Sequence, residues 1–81
     1  MRVTLVDVTD SGDLLLCLDG RFIAGADRQA GDDAWIIQEA AANLAKQFGV
    51  EVDTVRCQAA GLPEDWAYAD IVTRAFPEQG A

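Results

Sequence analysis

The sequence contains no histidine, and this absence limits the chemistry that the chain can perform. Histidine has an ordinary pKa near neutrality and is the commonest metal ligand, so the usual general base and the usual metal site are both missing. Cys17 and Cys57 are too far apart in the chain to form a zinc motif. We therefore expect no metal, no cofactor and no catalytic residue, and an enzyme is the least favoured class.

Basic residues are also scarce, because 6 Lys and Arg stand against 14 Asp and Glu, for a net charge of −8 over 81 residues. Such a chain has no basic stripe that could displace counterions from nucleic acid or from an anionic membrane. Part of the acidity is turn chemistry, as with Asp10, Asp13 and Asp19. The remainder suits a protein partner with a basic surface.

Long apolar runs are missing too, since none approaches the roughly 18–20 residues that a membrane span needs. Asp7 interrupts the apolar stretch near the N-terminus, and no small-residue cleavage pattern follows, so we expect no signal peptide. Both cysteines lie in predicted strands, which favours buried, reduced thiols over a disulfide. These features predict a cytoplasmic protein.

The best-marked element is an amphipathic helix within residues 33–50. Its apolar stripe has helical spacing and consists of Ile37, Ala41, Leu44 and Phe48. Asp32 or Asp33 can cap its first turn. Gly49 can adopt the left-handed conformation that ends a helix, with Val50 folding back onto the last turn.

Four further segments have the composition of β-strands, namely residues 2–8, 14–18, 21–26 and 50–57. Asp19-Gly20 predicts a tight hairpin turn between the second and third strands. Gly25 weakens the third strand and favours an edge position with a bulge. A second helix is expected from Leu62-Pro63, where proline suits the first turn, to about Ala75.

The elements therefore follow the order β-β-β-α-β-α, which predicts a single α+β domain over residues 1–81. A three-stranded meander, a helix and a fourth strand favour a mostly antiparallel four-stranded sheet of order 3-2-1-4, with the fourth strand parallel to the first. We expect both helices to pack on this sheet, or the second helix to extend its edge instead, and residues 77–81 to form a frayed tail.

The element order over residues 2–57 resembles the opening half of the ribonuclease H-like nuclease fold, which carries an aspartate on its first strand, where this chain has Asp7. Nuclease chemistry with two metal ions needs several converging carboxylates. Glu39 is predicted to project away from the sheet and cannot join Asp7. The same outline is similar to that of HicB-type antitoxins, although the glycine-cysteine segment expected between strands of that family is not visible. The resemblance implies an inhibitory binding module.

Two tryptophans are predicted to lie off the core stripes of the two helices. Trp35 is nearly opposite Ile37, on the side of Glu39, and Trp66 lies close to Asp70. Tryptophan is frequent at binding hot spots, and neighbouring carboxylates would complement a basic groove. The candidate partner-binding residues are Asp32, Asp33, Trp35, Glu39, Asp65, Trp66 and Asp70. The alternative is packing, of Trp35 over a sheet edge and of Trp66 on Leu62 or on the other helix.

The leading hypothesis is a small, acidic, non-enzymatic inhibitor that binds a larger nucleic-acid-binding protein through a negatively charged surface. Anti-CRISPR and anti-restriction proteins of mobile elements have this size and charge, which is an analogy at the level of class. The second hypothesis is an antitoxin-like or self-associating module that pairs through an exposed strand edge. Under either hypothesis the chain is a monomer or a homodimer.

Overall fold

The computed structural model describes residues 1–77. The elements are β1 (Val3–Val8), β2 (Leu14–Leu18), β3 (Arg21–Ala26), a single 3-10 turn (Arg28–Ala30), α1 (Ala34–Phe48), β4 (Val52–Cys57) and α2 (Tyr68–Ala75). The predicted β-β-β-α-β-α order is confirmed. Of the tail predicted for residues 77–81, all but Pro77 lies outside the described residues. None of the helices within residues 1–77 is long and apolar enough to cross a membrane.

The four strands form one mixed sheet in the order β3-β2-β1-β4, as predicted. β1 pairs antiparallel with β2 and parallel with β4, and β2 pairs antiparallel with β3. Asp19 and Gly20 both have positive φ, at 51° and 79°, as a tight two-residue hairpin turn requires. β3 and β4 are therefore the two edges of the sheet.

The sheet is covered on both faces, because the helices pack on opposite sides of it. The core on the α1 side consists of Val3, Leu14, Leu16, Ala26, Ile37, Ala41 and Ala45. The core on the α2 side consists of Val6, Val8, Leu15, Cys17, Ile71 and Phe76. Side chains alternate between faces along a strand, so β2, which is apolar at every position, supplies both cores.

The end of α1 differs from the prediction at one side chain. Phe48 was expected on the core stripe, but it is 48% exposed. Gly49 has a φ of 67°, and the Val50 N–H then donates to Ala45 O at 2.9 Å, so the chain turns back over the helix end. Val50 packs against the α1-side core at this end, and β4 begins at Val52 and not at Val50.

The second helix begins at Tyr68, later than predicted. Residues 59–62 and 63–66 form two turns, in which the Leu62 N–H donates to Ala59 O and the Trp66 N–H to Pro63 O, both at 3.0 Å. The backbone is extended at Ala67, and the Asp70 carboxylate accepts the Ala67 N–H at 2.9 Å, which caps the first turn of α2. Pro63 and the carboxylates after it therefore form an isolated turn and not the first turn of a helix. The helix begins further along the chain, where Asp70 caps its first turn.

The loop between β4 and α2 is held by two side chains from other elements. The Asp10 carboxylate accepts the N–H groups of Ala59 and Ala60 at 2.7 and 2.9 Å. The Arg74 guanidinium donates to the Gln58 and Ala60 carbonyls, both at 2.7 Å. The hydrogen bond from Ala59 is the main reason that the pKa of Asp10 is lowered. These contacts fix the loop that carries Glu64 and Trp66.

Candidate partner-binding surface and acidic cleft

The first turn of α1 presents an exposed apolar pair to solvent. Trp35 is 59% exposed and Ile36 is 52% exposed, whereas the neighbouring Ile37 is buried in the core. Asp33 is the N-cap residue of α1 by backbone geometry, although its side chain makes no capping hydrogen bond. Glu39 is exposed one turn further along the helix. Three of the predicted acidic candidates, Asp32, Asp33 and Glu39, thus lie near Trp35 in the chain.

Trp66 lies in a different environment, half-buried on the α2 side of the sheet. It packs with Leu62 against the α2-side core, and its ring centroid lies 6.2 Å from that of Tyr68. It precedes α2, so the helical periodicity used to place it does not apply. Because α1 and α2 cover opposite faces, Trp35 and Trp66 do not share one face.

The two remaining acidic candidates have separate positions. Asp70 is exposed, and its carboxylate accepts the Ala67 N–H, so it has a structural role at the start of α2. Asp65 is exposed in the turn before Trp66. Neither of them lines the cleft described next.

A cleft of about 340 Å³ opens at the end of the sheet where β2 begins and β3 ends. Two aromatic side chains and several polar ones line it, namely Ser11, Asp13, Asp27, Gln29, Glu64, Trp66 and Tyr68. Of these seven residues, only Trp66 was a predicted site residue. The cleft is assembled from three separate parts of the chain, which is why no local motif marked it.

Asp13 is the most buried carboxylate of the cleft, with 5% of its surface exposed. Its Oδ1 accepts the Arg28 N–H at 3.3 Å. Burial is the main cause that raises the pKa of Asp13, and the neighbouring Asp27 raises it further, while a hydrogen bond from Ser11 lowers it. Within the described part of the chain, the ion pairs join Arg2 to Asp53 and Arg56 to Asp7, so neither compensates Asp13.

A register shift brings Asp13 and Asp27 together. Leu16 pairs with Ala24, but the next pair toward the turn is Cys17 with Phe22, so one extra residue is inserted in β3. The two-residue turn by itself would have set Asp13 opposite Ala26. Because of the bulge, Leu14 pairs with Ala26, and Asp13 and Asp27 each lie one residue beyond this last pair of the ladder. Gly25 predicted a bulge in this strand, but it did not predict that the extra residue would lie between Phe22 and Ala24.

Asp27 and Tyr68 complete the polar side of the cleft. One oxygen of Asp27 accepts the N–H groups of Gln29 and Ala30, at 3.0 and 3.3 Å, and so caps the 3-10 turn. Burial, followed by the charges of Asp13, Asp27 and Asp32, raises the pKa of Tyr68 to about 12. The phenol therefore stays protonated over the physiological range and keeps a hydrogen-bond donor at the cleft.

The cleft and the Trp35 surface are joined through Asp32. The Asp32 carboxylate accepts the Asp27 N–H at 3.0 Å, and Trp35 follows three residues later at the start of α1. The carboxylates at this end of the sheet form what we call the acidic band, consisting of Asp13, Asp27, Asp32, Asp33 and Glu64.

The carboxylates that a nuclease would need do not converge. Asp7 is half-buried on β1 and lies 4.0 Å from the Arg56 guanidinium, while Glu39 is exposed on α1. In residues 1–77, no group of three His, Cys, Asp or Glu side chains is arranged to hold a metal ion. No family model, no curated protein and no solved structure matches this chain.

Proposed function

We propose that this chain is a small acidic inhibitor that binds the basic surface of a nucleic-acid-binding protein in the cytoplasm and thereby excludes its nucleic acid. The observation that carries the proposal is the acidic band, which gathers carboxylates from three loops and the start of α1 at one end of the sheet. The net charge of −8 adds a field of the same sign. The protein acts by occupying a surface, without catalysis.

Charge alone gives association rate and orientation more than affinity, so the complex also needs an apolar anchor. Trp35 supplies one, because most of its side chain is exposed beside the acidic band and Ile36 extends the apolar area. Tryptophan anchors that become fully desolvated commonly dominate the energy of an interface. The carboxylates would then steer the partner, and Trp35 would hold it.

A second candidate function has its own observation. β3 is an edge strand whose Phe22 and Ile23 are both exposed, which leaves apolar side chains beside unpaired backbone groups. Such an edge can pair with another chain, as a self-associating or antitoxin-like module would. The bulge in β3 interrupts the regular ladder and weakens this reading.

Affinity capture from a lysate of the source cell, with identification of the captured proteins, tests the proposal. We expect the wild-type chain to capture a nucleic-acid-binding protein and to displace a labelled oligonucleotide from it. Trp35→Ala and high salt should each abolish capture, because they remove the anchor and screen the charges. Asn43→Ala, an exposed change elsewhere on α1, serves as the matched control and should bind normally.

A different result of the capture experiment would contradict the proposal. If the wild-type chain captures nothing and sediments as a stable dimer, the inhibitor proposal is wrong and pairing through β3 replaces it. Each variant is checked for its fold by circular dichroism, with Ile37→Ala as the reference for a core change on the same helix. Because Trp35 is exposed, its replacement should change stability by no more than about 0.5 kcal/mol. Ile37→Ala should cost about 2–4 kcal/mol.

A further inference from the structure

We infer that the cleft lined by Asp13, Asp27, Glu64, Trp66 and Tyr68 binds the guanidinium group of an arginine side chain. The inference rests on the proposed function, since it supplies the part of a basic protein partner that this chain recognises. It assigns a role to the burial of Asp13 and to Tyr68, neither of which the proposed function uses.

The cleft contains a buried carboxylate, that of Asp13, which makes no ion pair within residues 1–77. Asp13 is 95% buried, as its exposed fraction is 5%, and it faces Asp27, a second carboxylate of the cleft. Buried carboxylates are normally paired with a cation or neutralised. The Arg28 N–H donates to the Asp13 carboxylate and the Asp13 N–H donates to the Ser11 hydroxyl, and neither of these partners carries a net charge. A cation supplied from outside the chain would complete this pair.

The cleft also has an aromatic wall. Trp66 and Tyr68 both line the cleft, and their ring planes are inclined at 45° to each other with centroids 6.2 Å apart. Aromatic faces attract cations, tryptophan most strongly, and guanidinium groups also stack on them. A solvated acidic surface would stay soluble without aromatic rings beside its carboxylates. The combination of the two in one cleft therefore favours a cation-binding site.

The lining of the cleft also favours one kind of cation. No group of acidic, Cys or His side chains in residues 1–77 is arranged to hold a metal ion, so the cleft suits an organic cation. A guanidinium group is planar, is weakly hydrated and presents several N–H donors to neighbouring carboxylates. An ammonium group is a compact and strongly hydrated point charge. Two adjacent carboxylates beside aromatic faces therefore favour arginine over lysine.

The position of the cleft fits a partner that also contacts Trp35. Asp32 links the two regions through its hydrogen bond to the Asp27 N–H. An arginine side chain is long enough for its head to enter the cleft while its backbone remains on the surface of the partner. One arginine of a basic surface would then be held in the cleft while a neighbouring apolar group rests on Trp35.

Titration with N-acetyl-arginine methylamide tests the inference, with the lysine and citrulline analogues as comparisons. In a Trp35→Phe background, Trp66 is the sole tryptophan, so its fluorescence reports on the cleft. We expect the arginine compound to change this fluorescence and to shift the amide resonances of residues 11–13, 27–29 and 64–68. The lysine analogue should bind several-fold more weakly, and the uncharged citrulline analogue should not bind.

Two neighbouring substitutions provide the matched comparison. Glu64 lines the cleft, and Glu64→Gln should weaken arginine binding about two- to five-fold, the range for a partly exposed ion pair. Asp65 is exposed and does not line it, so Asp65→Asn should leave the affinity unchanged while removing the same charge. Equal effects of the two variants would show that general charge attraction, and not the cleft, binds arginine.

The inference and the proposed function fail in different ways. Equal binding of the arginine and citrulline compounds, or resonance shifts scattered over the acidic surface, would overturn the cleft assignment whatever the capture experiment shows. If a partner is captured but Asp13→Asn and Glu64→Gln leave its affinity unchanged, the inhibitor function stands and the arginine site is wrong. If the cleft binds arginine but no partner is captured, the arginine site stands and the inhibitor proposal is wrong.

Discussion

The ring of Tyr68 lies directly over the backbone of Gly25, so closely that a β-carbon at Gly25 would be 2.7 Å from Tyr68 Cε2. Gly25 does not have a positive φ, so its role here is the close approach. The same ring contacts Phe22, with the two centroids 5.5 Å apart. This contact docks the start of α2 on β3 and sets the aromatic wall of the cleft.

Gly25→Ala should therefore destabilise the fold. The added methyl group forces the Tyr68 ring, the backbone of β3 or both to move, and overpacking of this kind costs about 1–3 kcal/mol. The measurement is the free energy of unfolding in urea. In a Tyr68→Ala background the same substitution should cost much less, because the clashing ring is gone. An equal cost in both backgrounds would show that the loss has another origin.

Thr4→Val should leave stability unchanged or raise it by about 1 kcal/mol. The Thr4 side chain is fully buried on the α2 side of the sheet, and its hydroxyl oxygen has no hydrogen-bond partner. An unsatisfied buried polar group costs about 1–3 kcal/mol, and valine fills nearly the same volume without it. Thr54→Val, at an exposed position of β4, is the matched control for strand propensity. A clear loss of stability in Thr4→Val would mean that the hydroxyl has a partner.

Asp10→Asn should remove a component of the acid sensitivity of the fold. The folded state lowers the pKa of Asp10 below its ordinary value of 3.8, mainly through the Ala59 N–H. Its contribution is therefore fully present above pH 3.8 and is lost as the pH falls through the folded pKa. The wild type should be more stable than the variant near neutrality, and the difference should shrink in acid. Urea midpoints across the acid range test this, and a difference independent of pH would contradict it.

Asp13→Asn should act in the opposite direction. The folded state raises the pKa of Asp13, mainly through burial, so ionisation of this group opposes folding as the pH rises through the folded value. The amide keeps an acceptor for the Arg28 N–H and can donate to Asp27, so we expect a gain of about 1 kcal/mol near neutrality. The gain should vanish in acid, where wild-type Asp13 is protonated. Lower stability of the variant near neutrality would show that the charge of Asp13 is already compensated.

Much of the fold could be predicted because the signals were local. Apolar and β-branched runs marked the four strands, Asp19-Gly20 marked the hairpin, and Gly49 marked the end of α1. The start of α2 was wrong because Pro63 and the following carboxylates suit the first turn of a helix and an isolated turn equally well. Phe48 was wrong because periodicity places a side chain on a face but does not say whether the core extends to the helix end.

The candidate site could be predicted only in part. The exposure of Trp35 follows from helical periodicity on α1, where that periodicity holds. Trp66 was assigned to the second helix, but α2 begins two residues after it. Helical periodicity therefore could not predict which way its side chain faces. Asp13 was attributed to a turn and Tyr68 was not a predicted site residue, since no local pattern shows that a bulge in β3 and the docking of α2 bring them to one cleft.

The sequence by itself determined the elements, their order, the sheet topology and the excess of negative charge, because each depends on composition or on residues close together in the chain. Only the tertiary structure decided which carboxylates are neighbours. The extra residue in β3 brought Asp27 next to Asp13, and the Asp10 and Arg74 contacts fixed the loop that carries Glu64 and Trp66. Long-range register and loop anchoring are sums of many weak contacts, and no single segment of the chain encodes them.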